Sequence, residues 1–175
     1  MSQRAKNDME SVSESVLINH LRTQEESLKL LDEIDLLLNS LYEEKGEGFE
    51  LALKSKVRSW VTEAIREEMS KGVDMEEFLK SVKNEIASFK ELKISLAFEP
   101  TSLSIEKIYM QAQGIWGRKI LLNLSYDPNL IAGCVIIFEG EYRDFSLRKA
   151  FKKEFLQKKE QILSLFKDYQ VSDQV

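Results

Sequence analysis

The sequence has few of the residues on which most active sites depend. Its 175 residues include one histidine, His20, and one cysteine, Cys134. Acid–base, nucleophilic and metal chemistry commonly require imidazole, thiolate or clustered carboxylate groups held in a pocket. His20 falls in a polar helical stretch and Cys134 opens an apolar strand, so neither is expected to act as a catalyst or ligand. We therefore expect no catalytic residue, no metal site and no cofactor.

Glycine and long apolar runs are also scarce. The 7 glycines form neither the G-x-x-x-x-G-K-[ST] loop nor the G-x-G-x-x-G turn that binds phosphate groups. The longest uncharged apolar run, Leu130–Phe138, is nine residues, whereas a membrane-spanning helix needs about 20. The first residues are polar and do not resemble a signal peptide. Together with the lone cysteine, this predicts a cytoplasmic protein without a membrane span.

Charge is plentiful but uneven. The net charge is −5 and the sequence pI is near 5.2, yet residues 141–160 contain seven Lys or Arg against four Asp or Glu. The acidic pI and the expected lack of exposed aromatic residues interleaved with the basic ones argue against nucleic-acid binding. Either an interaction surface or a solvated helix face would explain the basic stretch.

Helical periodicity fills the first half of the chain. Apolar residues spaced by three, four or seven predict one long helix over Asp8–Glu44. The polar stretch Arg22–Ser27 leaves a kink or a break there as the alternative. Further helices are predicted over Phe49–Lys71 and from Asp74, with Glu77 in capping-box spacing, to Phe89. We expect residues 1–91 to form a helical domain, either a bundle or a long hairpin.

The second half alternates between strand and helix signals. Residues 92–175 are predicted to form a small α/β domain with the order β-α-β-β-β-α and a mixed sheet, which makes the fold class α+β. The first two strands, joined by a helical crossover, should be parallel. Glu139-Gly140 fits a two-residue hairpin turn. The predicted strands are 93–99, 119–126, Cys134–Phe138 and Glu141–Asp144, and the helices are 104–116 and 146–169.

The last predicted helix begins with a capping residue and has an apolar stripe. Ser146 is placed to accept a backbone N–H of the first turn. We expect part of the stripe to cover the sheet, which would bury Leu147, Phe151, Phe155, Ile162, Phe166 and Tyr169.

Two short motifs in this half are familiar. The first is Asp127-Pro128-Asn129-Leu130-Ile131-Ala132-Gly133, and the second is Asp144-Phe145-Ser146-Leu147-Arg148. With the apolar strand between them, they resemble the C-terminal domain of the F-type ATP synthase delta subunit, or oligomycin-sensitivity-conferring protein. That family has roughly D-P-x-L-I-G-G, a strand, then D-x-S-[apolar]-R, so Ala132 and Phe145 depart from it. The matching positions, which we interpret as structural, are Asp127, Pro128, Leu130, Ile131, Gly133, Asp144, Ser146, Leu147 and Arg148.

The resemblance implies a function. Delta is a non-catalytic peripheral-stalk, or stator, subunit of a rotary proton-translocating ATP synthase, on the cytoplasmic or inner face of the energy-transducing membrane. Its N-terminal six-helix bundle binds the alpha/beta catalytic head, and its C-terminal domain meets the b-type stalk subunits. Val57–Phe89 resembles the last two helices of that bundle, but residues 1–48 do not resemble the first four. By position, the expected stalk-partner interface is Lys152, Lys153, Lys159, Ile162 and Phe166.

Two alternatives remain open at this point. A V-type ATPase E-like subunit, or the related flagellar or secretion ATPase stalk regulator, would explain a long N-terminal helix before a compact α/β domain. The two motifs favour delta instead. A small enzyme with an unrecognised pocket is the other alternative, and the scarcity of catalytic groups argues against it.

Overall fold

The computed structural model describes residues 16–42 and 47–172, with the side chains of 47, 162 and 165–172 outside the description. The chain divides into two compact units. The first, which we call the helical unit, comprises the residues up to Glu91 together with Ile105–Asn123. The second, which we call the C-terminal unit, comprises Leu92–Ser104 together with the residues from Leu124 onwards. Each of the three boundaries between these segments falls inside a helix or a strand. Helices followed by a small mixed sheet confirm the predicted α+β class.

The helical unit is built around one apolar core. Its helices are α1 (Val16–Asn19), α2 (Gln24–Tyr42), α3 (Glu47–Ser55), α4 (Ser59–Ser70), α5 (Met75–Ala87) and most of α6 (Ser102–Trp116). Apolar residues at helical spacing on α2 are fully buried. Leucine or isoleucine side chains on α3, α4 and α5 are fully buried as well. The largest of these side chains are Leu30, Ile34, Leu37, Leu53, Ile65 and Leu79.

The predicted long first helix is wrong over the described residues, because the chain breaks after α1. Thr23 caps α2 by accepting the backbone N–H of Glu26 at 3.2 Å, and Glu26 in turn accepts the backbone N–H groups of Arg22 and Thr23 at 2.9 and 3.0 Å. This is a reciprocal capping box. The Arg22 carbonyl then accepts the Leu122 N–H at 2.9 Å. The predicted start at Asp8 lies outside the described residues.

The predicted second helix is also divided, into α3 and α4. Arg58 is extended between them, with φ −61° and ψ 143°. Its backbone N–H donates to Glu33 at 2.9 Å, and its guanidinium makes a two-pronged ion pair with the same carboxylate. The third predicted helix is confirmed, since Asp74 caps α5 by accepting the Glu77 N–H at 2.9 Å.

The sheet has the order β2-β1-β3-β4. Its strands are β1 (Lys90–Leu96), β2 (Ile120–Tyr126), β3 (Cys134–Phe138) and β4 (Glu141–Asp144). β1 pairs antiparallel with β3, which pairs antiparallel with β4. The Lys90 N–H donates to the Lys119 carbonyl, and the Asp127 N–H donates to the Leu96 carbonyl. Because the residue numbers of the bonded partners rise together along both strands, β1 and β2 are parallel, as predicted. β1 begins three residues earlier than predicted, and Phe98 is exposed beyond its end.

The tight turn between β3 and β4 is confirmed. Glu139 and Gly140 both have positive φ, 49° and 85°, which is the backbone of a type I′ hairpin turn. The last helix, α7 (Leu147–Ser172), follows β4 after two residues. The expectation that its apolar stripe is buried is wrong for Leu147, Phe151 and Phe155, which are exposed. The spacing of apolar residues predicts that a helix has an apolar face, but it does not show whether another part of the chain covers that face.

Candidate interaction site in the C-terminal unit

The first motif forms a capped turn after β2. The Asp127 carboxylate accepts the Asn129 N–H at 2.9 Å, and Pro128 opens a short 3₁₀ turn that ends at the buried Leu130. Proline suits this position because its fixed φ is compatible with a turn and its missing N–H is not required there. Ile131, exposed, has a φ of 65°. The motif therefore determines how the chain enters β3.

Gly133 lies where only glycine fits. Its φ is +86°, and a Cβ built on it would lie 2.3 Å from the backbone oxygen of Phe145. A left-handed backbone and a contact with a neighbouring main chain both disfavour any side chain. The first motif is thus packed directly against the second.

The second motif fixes the start of α7. The Ser146 N–H donates to Asp144 Oδ1 at 2.8 Å, and the Ser146 hydroxyl accepts the Lys149 N–H at 3.2 Å. Hydrogen bonds from the Ser146 side chain, and then from its backbone, lower the pKa of Asp144 from its usual value. The Leu147 N–H donates to the Ala132 carbonyl at 2.8 Å. The two motifs therefore form one hydrogen-bonded joint from which α7 leaves, with Arg148 exposed on its first turn.

Beyond this joint, α7 presents apolar side chains to solvent. All of its described side chains are exposed. Leu147, Phe151 and Phe155 are spaced by four, so they form one row along the helix. A second row contains Leu156 and Leu163, seven residues apart. The exposed fractions of these five side chains lie between 40% and 64%. We call these five residues the α7 apolar face.

The three predicted lysines lie beside different parts of this face. Lys159 continues the row of Phe151 and Phe155, while Lys152 is four residues from Leu156 and shares its row. Lys153 is two residues from both phenylalanines, so it does not share their row, but it is three residues from Leu156 and therefore lies beside the second row. All three lysines are exposed. The predicted anchors Ile162 and Phe166 have side chains outside the described residues. Leu156 and Leu163 were missed, although their spacing of seven was a signal in the sequence.

Solved structures show a partial likeness to this chain. A chain from the cryo-EM structure of the Polytomella F-ATP synthase in primary rotary state 3 is similar over 44% of this chain and 99% of that one. The two are 20% identical in sequence over the match, with a TM-score of 0.36. A TM-score of this size does not by itself establish a shared fold. No protein-family model matches the sequence, and no match to it was found among curated proteins.

The helical unit contains a cavity of about 280 Å³ whose polar groups largely bind one another. Arg22 Nε donates to Glu106 at 2.9 Å, and the guanidinium lies 4.7 Å from the centre of the Tyr109 ring. Its Nη1 donates to the Asn19 carbonyl at 2.6 Å. The Tyr109 hydroxyl accepts from Gln113 at 2.9 Å. This arrangement is a packed polar cluster rather than a set of groups directed at a ligand.

Of the two residue types that the sequence has only once, His20 is exposed and Cys134 is half-buried. The His20 ring lies 4.8 Å from the Trp60 ring, tilted by 40°. Burial raises the pKa of the Cys134 thiol, which disfavours the reactive thiolate. Within the described residues, no group of three or more His, Cys, Asp or Glu is placed to hold a metal ion. In the same part of the chain, no helix is long and apolar enough to cross a membrane.

Proposed function

We propose that the chain is a peripheral-stalk subunit of a rotary proton-translocating ATP synthase, of the delta kind. In this role it has no active site of its own and links the catalytic head to the membrane-anchored stalk. Its place would be the inner face of the energy-transducing membrane. The observation on which the proposal rests is the α7 apolar face, which extends from a joint made by the two delta-like motifs.

An exposed row of aromatic and aliphatic side chains suits binding of another helix. Burying apolar surface contributes roughly 25 cal/mol per Å², and each of the five side chains of the α7 apolar face is at least 40% exposed. Helix-in-groove recognition uses anchors at spacings of three, four and seven. The spacing of the α7 apolar face fits a b-type stalk helix with apolar anchors and acidic flanks opposite Lys152 and Lys159.

The joint supports a mechanical role. A stator subunit must transmit torque between its partners, so the angle at which its binding helix leaves the domain should be fixed. The Asp144 carboxylate, the Ser146 cap and the close approach of Gly133 to Phe145 all restrain the start of α7.

The contact with the alpha/beta head is proposed for the helical unit. The support is the resemblance of Val57–Phe89 to the last two helices of the delta bundle. These residues contain α4, α5 and the Lys71-Gly72-Val73 turn, where Gly72 has a φ of 75°.

A V-type ATPase E-like or secretion-ATPase regulator remains the second candidate, with less support. It was favoured by one long N-terminal helix. The capping box at Thr23 and Glu26 interrupts that helix, and the buried Leu30, Ile34 and Leu37 place α2 in a core. Over the described residues, the first helices therefore do not form a stalk-like extension.

Truncation tests the stalk contact. Deleting the residues after Ala150 removes four of the five residues of the α7 apolar face and leaves the Ser146 cap in place. This truncation should abolish copurification with the membrane-anchored stalk subunit, while circular dichroism shows that the sheet remains folded. Copurification of the truncated protein at full stoichiometry would place the contact elsewhere, most plainly on the helical unit.

Charge reversal refines the same test. Lys152→Glu with Lys159→Glu should weaken binding modestly and flatten its salt dependence, because exposed charge pairs contribute only about 0–1 kcal/mol each. Lys153→Glu is the matched control, since it changes the same charge away from the row of Phe151 and Phe155. Equal effects at all three lysines would contradict the assigned face.

A further inference from the structure

The outer edge of β4 is the second exposed feature of the C-terminal unit. β4 is the last strand in the sheet order β2-β1-β3-β4. Glu141, Tyr142 and Arg143 are all exposed, so no described residue covers their side chains. An edge strand presents unpaired N–H and C=O groups that can pair with another strand.

The register of the hairpin shows which backbone groups point outward. The Phe145 N–H donates to Cys134 and the Leu147 N–H to Ala132, at 2.9 and 2.8 Å. Facing pairs in an antiparallel ladder alternate between hydrogen-bonded and non-hydrogen-bonded. Since Phe145 is hydrogen-bonded to Cys134, every second residue before it on β4, namely Arg143 and Glu141, also directs its backbone groups to β3. The N–H and C=O groups of Tyr142 and Asp144 therefore point away from the sheet.

The side chains of β4 are complementary to a copy of themselves. Glu141 and Arg143 lie on one face of the strand, where they are 2.7 Å apart as an ion pair, and Tyr142 lies on the other face. If Tyr142 faces Tyr142 of a second copy, the outward backbone groups pair directly. In that register, Glu141 of each copy lies opposite Arg143 of the other. Non-hydrogen-bonded pairs such as these bring side chains closest together.

Neighbouring registers are excluded by charge or by backbone geometry. A shift of one residue in the pairing would place an outward backbone group against an inward one, which cannot form a ladder. A shift of two would face Glu141 with Glu141, or Arg143 with Arg143. Like charges directly opposite each other destabilise a sheet. Only the register centred on Tyr142 satisfies both the hydrogen bonds and the charges.

We propose that the outer edge of β4 binds β4 of a second copy of this chain, in an antiparallel two-fold pairing centred on Tyr142. Two four-stranded sheets would then join into one of eight strands. On the opposite face, Tyr142, which is 64% exposed, would meet Tyr142 of the second copy, and Ile137, which is 38% exposed, lies beside Tyr142 on β3. A short edge gives a small interface of the weak, transient class.

Sedimentation equilibrium on the full chain tests the pairing. The wild-type protein should pass from its 20.3 kDa monomer towards twice that mass between about 10 µM and about 1 mM, the range expected of weak interfaces. Glu141→Arg and Arg143→Glu each place like charges opposite one another, so each should weaken self-association about tenfold or more. Circular dichroism and the melting temperature establish that both variants are folded.

Mixing the two variants provides the decisive result. The Glu141→Arg chain then presents two arginines to the two glutamates of the Arg143→Glu chain, so the mixture should associate at least as tightly as the wild type. Three results would overturn the proposal: a monomeric wild type over the whole range, single variants that associate like the wild type, or a mixture that stays monomeric. Association through the α7 apolar face would give the second of these results, because neither substitution lies on that face.

Discussion

Two amphipathic helices of this chain have opposite surroundings. α2 (Gln24–Tyr42) places Leu30, Ile34 and Leu37 at zero exposure in the helical core. The longer α7 (Leu147–Ser172) has a similar alternation of apolar and charged residues, yet all of its described side chains are exposed. Apolar spacing therefore identifies a binding face in both helices, but only α2 has its partner within the described chain.

The largest expected effect comes from the α2 core. Leu37→Ala should lower the free energy of unfolding by about 2–5 kcal/mol, because it leaves a cavity at a fully buried position. Phe155→Ala on α7 should change it by no more than about 0.5 kcal/mol, as exposed substitutions usually do. Urea denaturation of the two variants measures both. A Phe155 variant as unstable as the Leu37 one would mean that α7 packs against its own chain.

The glycine at the joint should produce the next largest effect. Gly133→Ala should destabilise the C-terminal unit by about 2 kcal/mol or more, since it combines a positive φ with a 2.3 Å approach to the Phe145 oxygen. Gly140→Ala is the matched control, with nearly the same φ of +85° and nothing within 4 Å. Gly140→Ala should lower the free energy of unfolding by only about 1 kcal/mol, the cost of a side chain at a positive φ. Equal denaturant midpoints for the two variants would show that the close approach has no energetic role.

A smaller loss is expected at the start of α7. Ser146→Ala removes the acceptor of the Lys149 N–H and should cost about 0.5–2 kcal/mol, the usual range for an N-cap. Ser146→Thr retains the hydroxyl and should recover most of this loss. If the Thr variant is no more stable than the Ala variant in thermal melts, the cap does not stabilise the joint.

Acid provides the mildest perturbation. Because the folded pKa of Asp144 is lowered below the usual value for an aspartate, the stability that this carboxylate contributes is fully present above that usual value. It should be lost as the pH falls through the lower folded pKa. NMR titration of the Asp144 carboxyl carbon should give a pKa below 3.8, and Ser146→Ala should raise it. A pKa that is the same in both proteins would contradict the hydrogen bonds assigned here.

Much of the C-terminal unit could be predicted because its signals are local. The Glu139-Gly140 turn, the Ser146 cap and the alternation in the strands depend on neighbours in sequence. The break near Thr23 was indicated only as an alternative, by the polar stretch Arg22–Ser27, and the break near Arg58 was harder, because apolar spacing continues through it. The Thr23–Glu26 capping box was nevertheless readable, whereas the ion pair of Arg58 with Glu33 joins residues 25 apart. The exposure of Phe151 could not be predicted, since it depends on which surfaces the rest of the chain supplies.

The most direct test of the stalk proposal is calorimetric titration of a b-type stalk segment into the double variant Phe151→Ser, Phe155→Ser. The account predicts that binding falls by at least about a hundredfold, because each anchor removed costs about 1–3 kcal/mol of apolar burial. The melting temperature should stay within about 2 °C of the wild type, since neither side chain is part of the core. Wild-type affinity in the double variant, or a loss of binding that accompanies unfolding, would contradict the assignment of α7 as the stalk-binding helix.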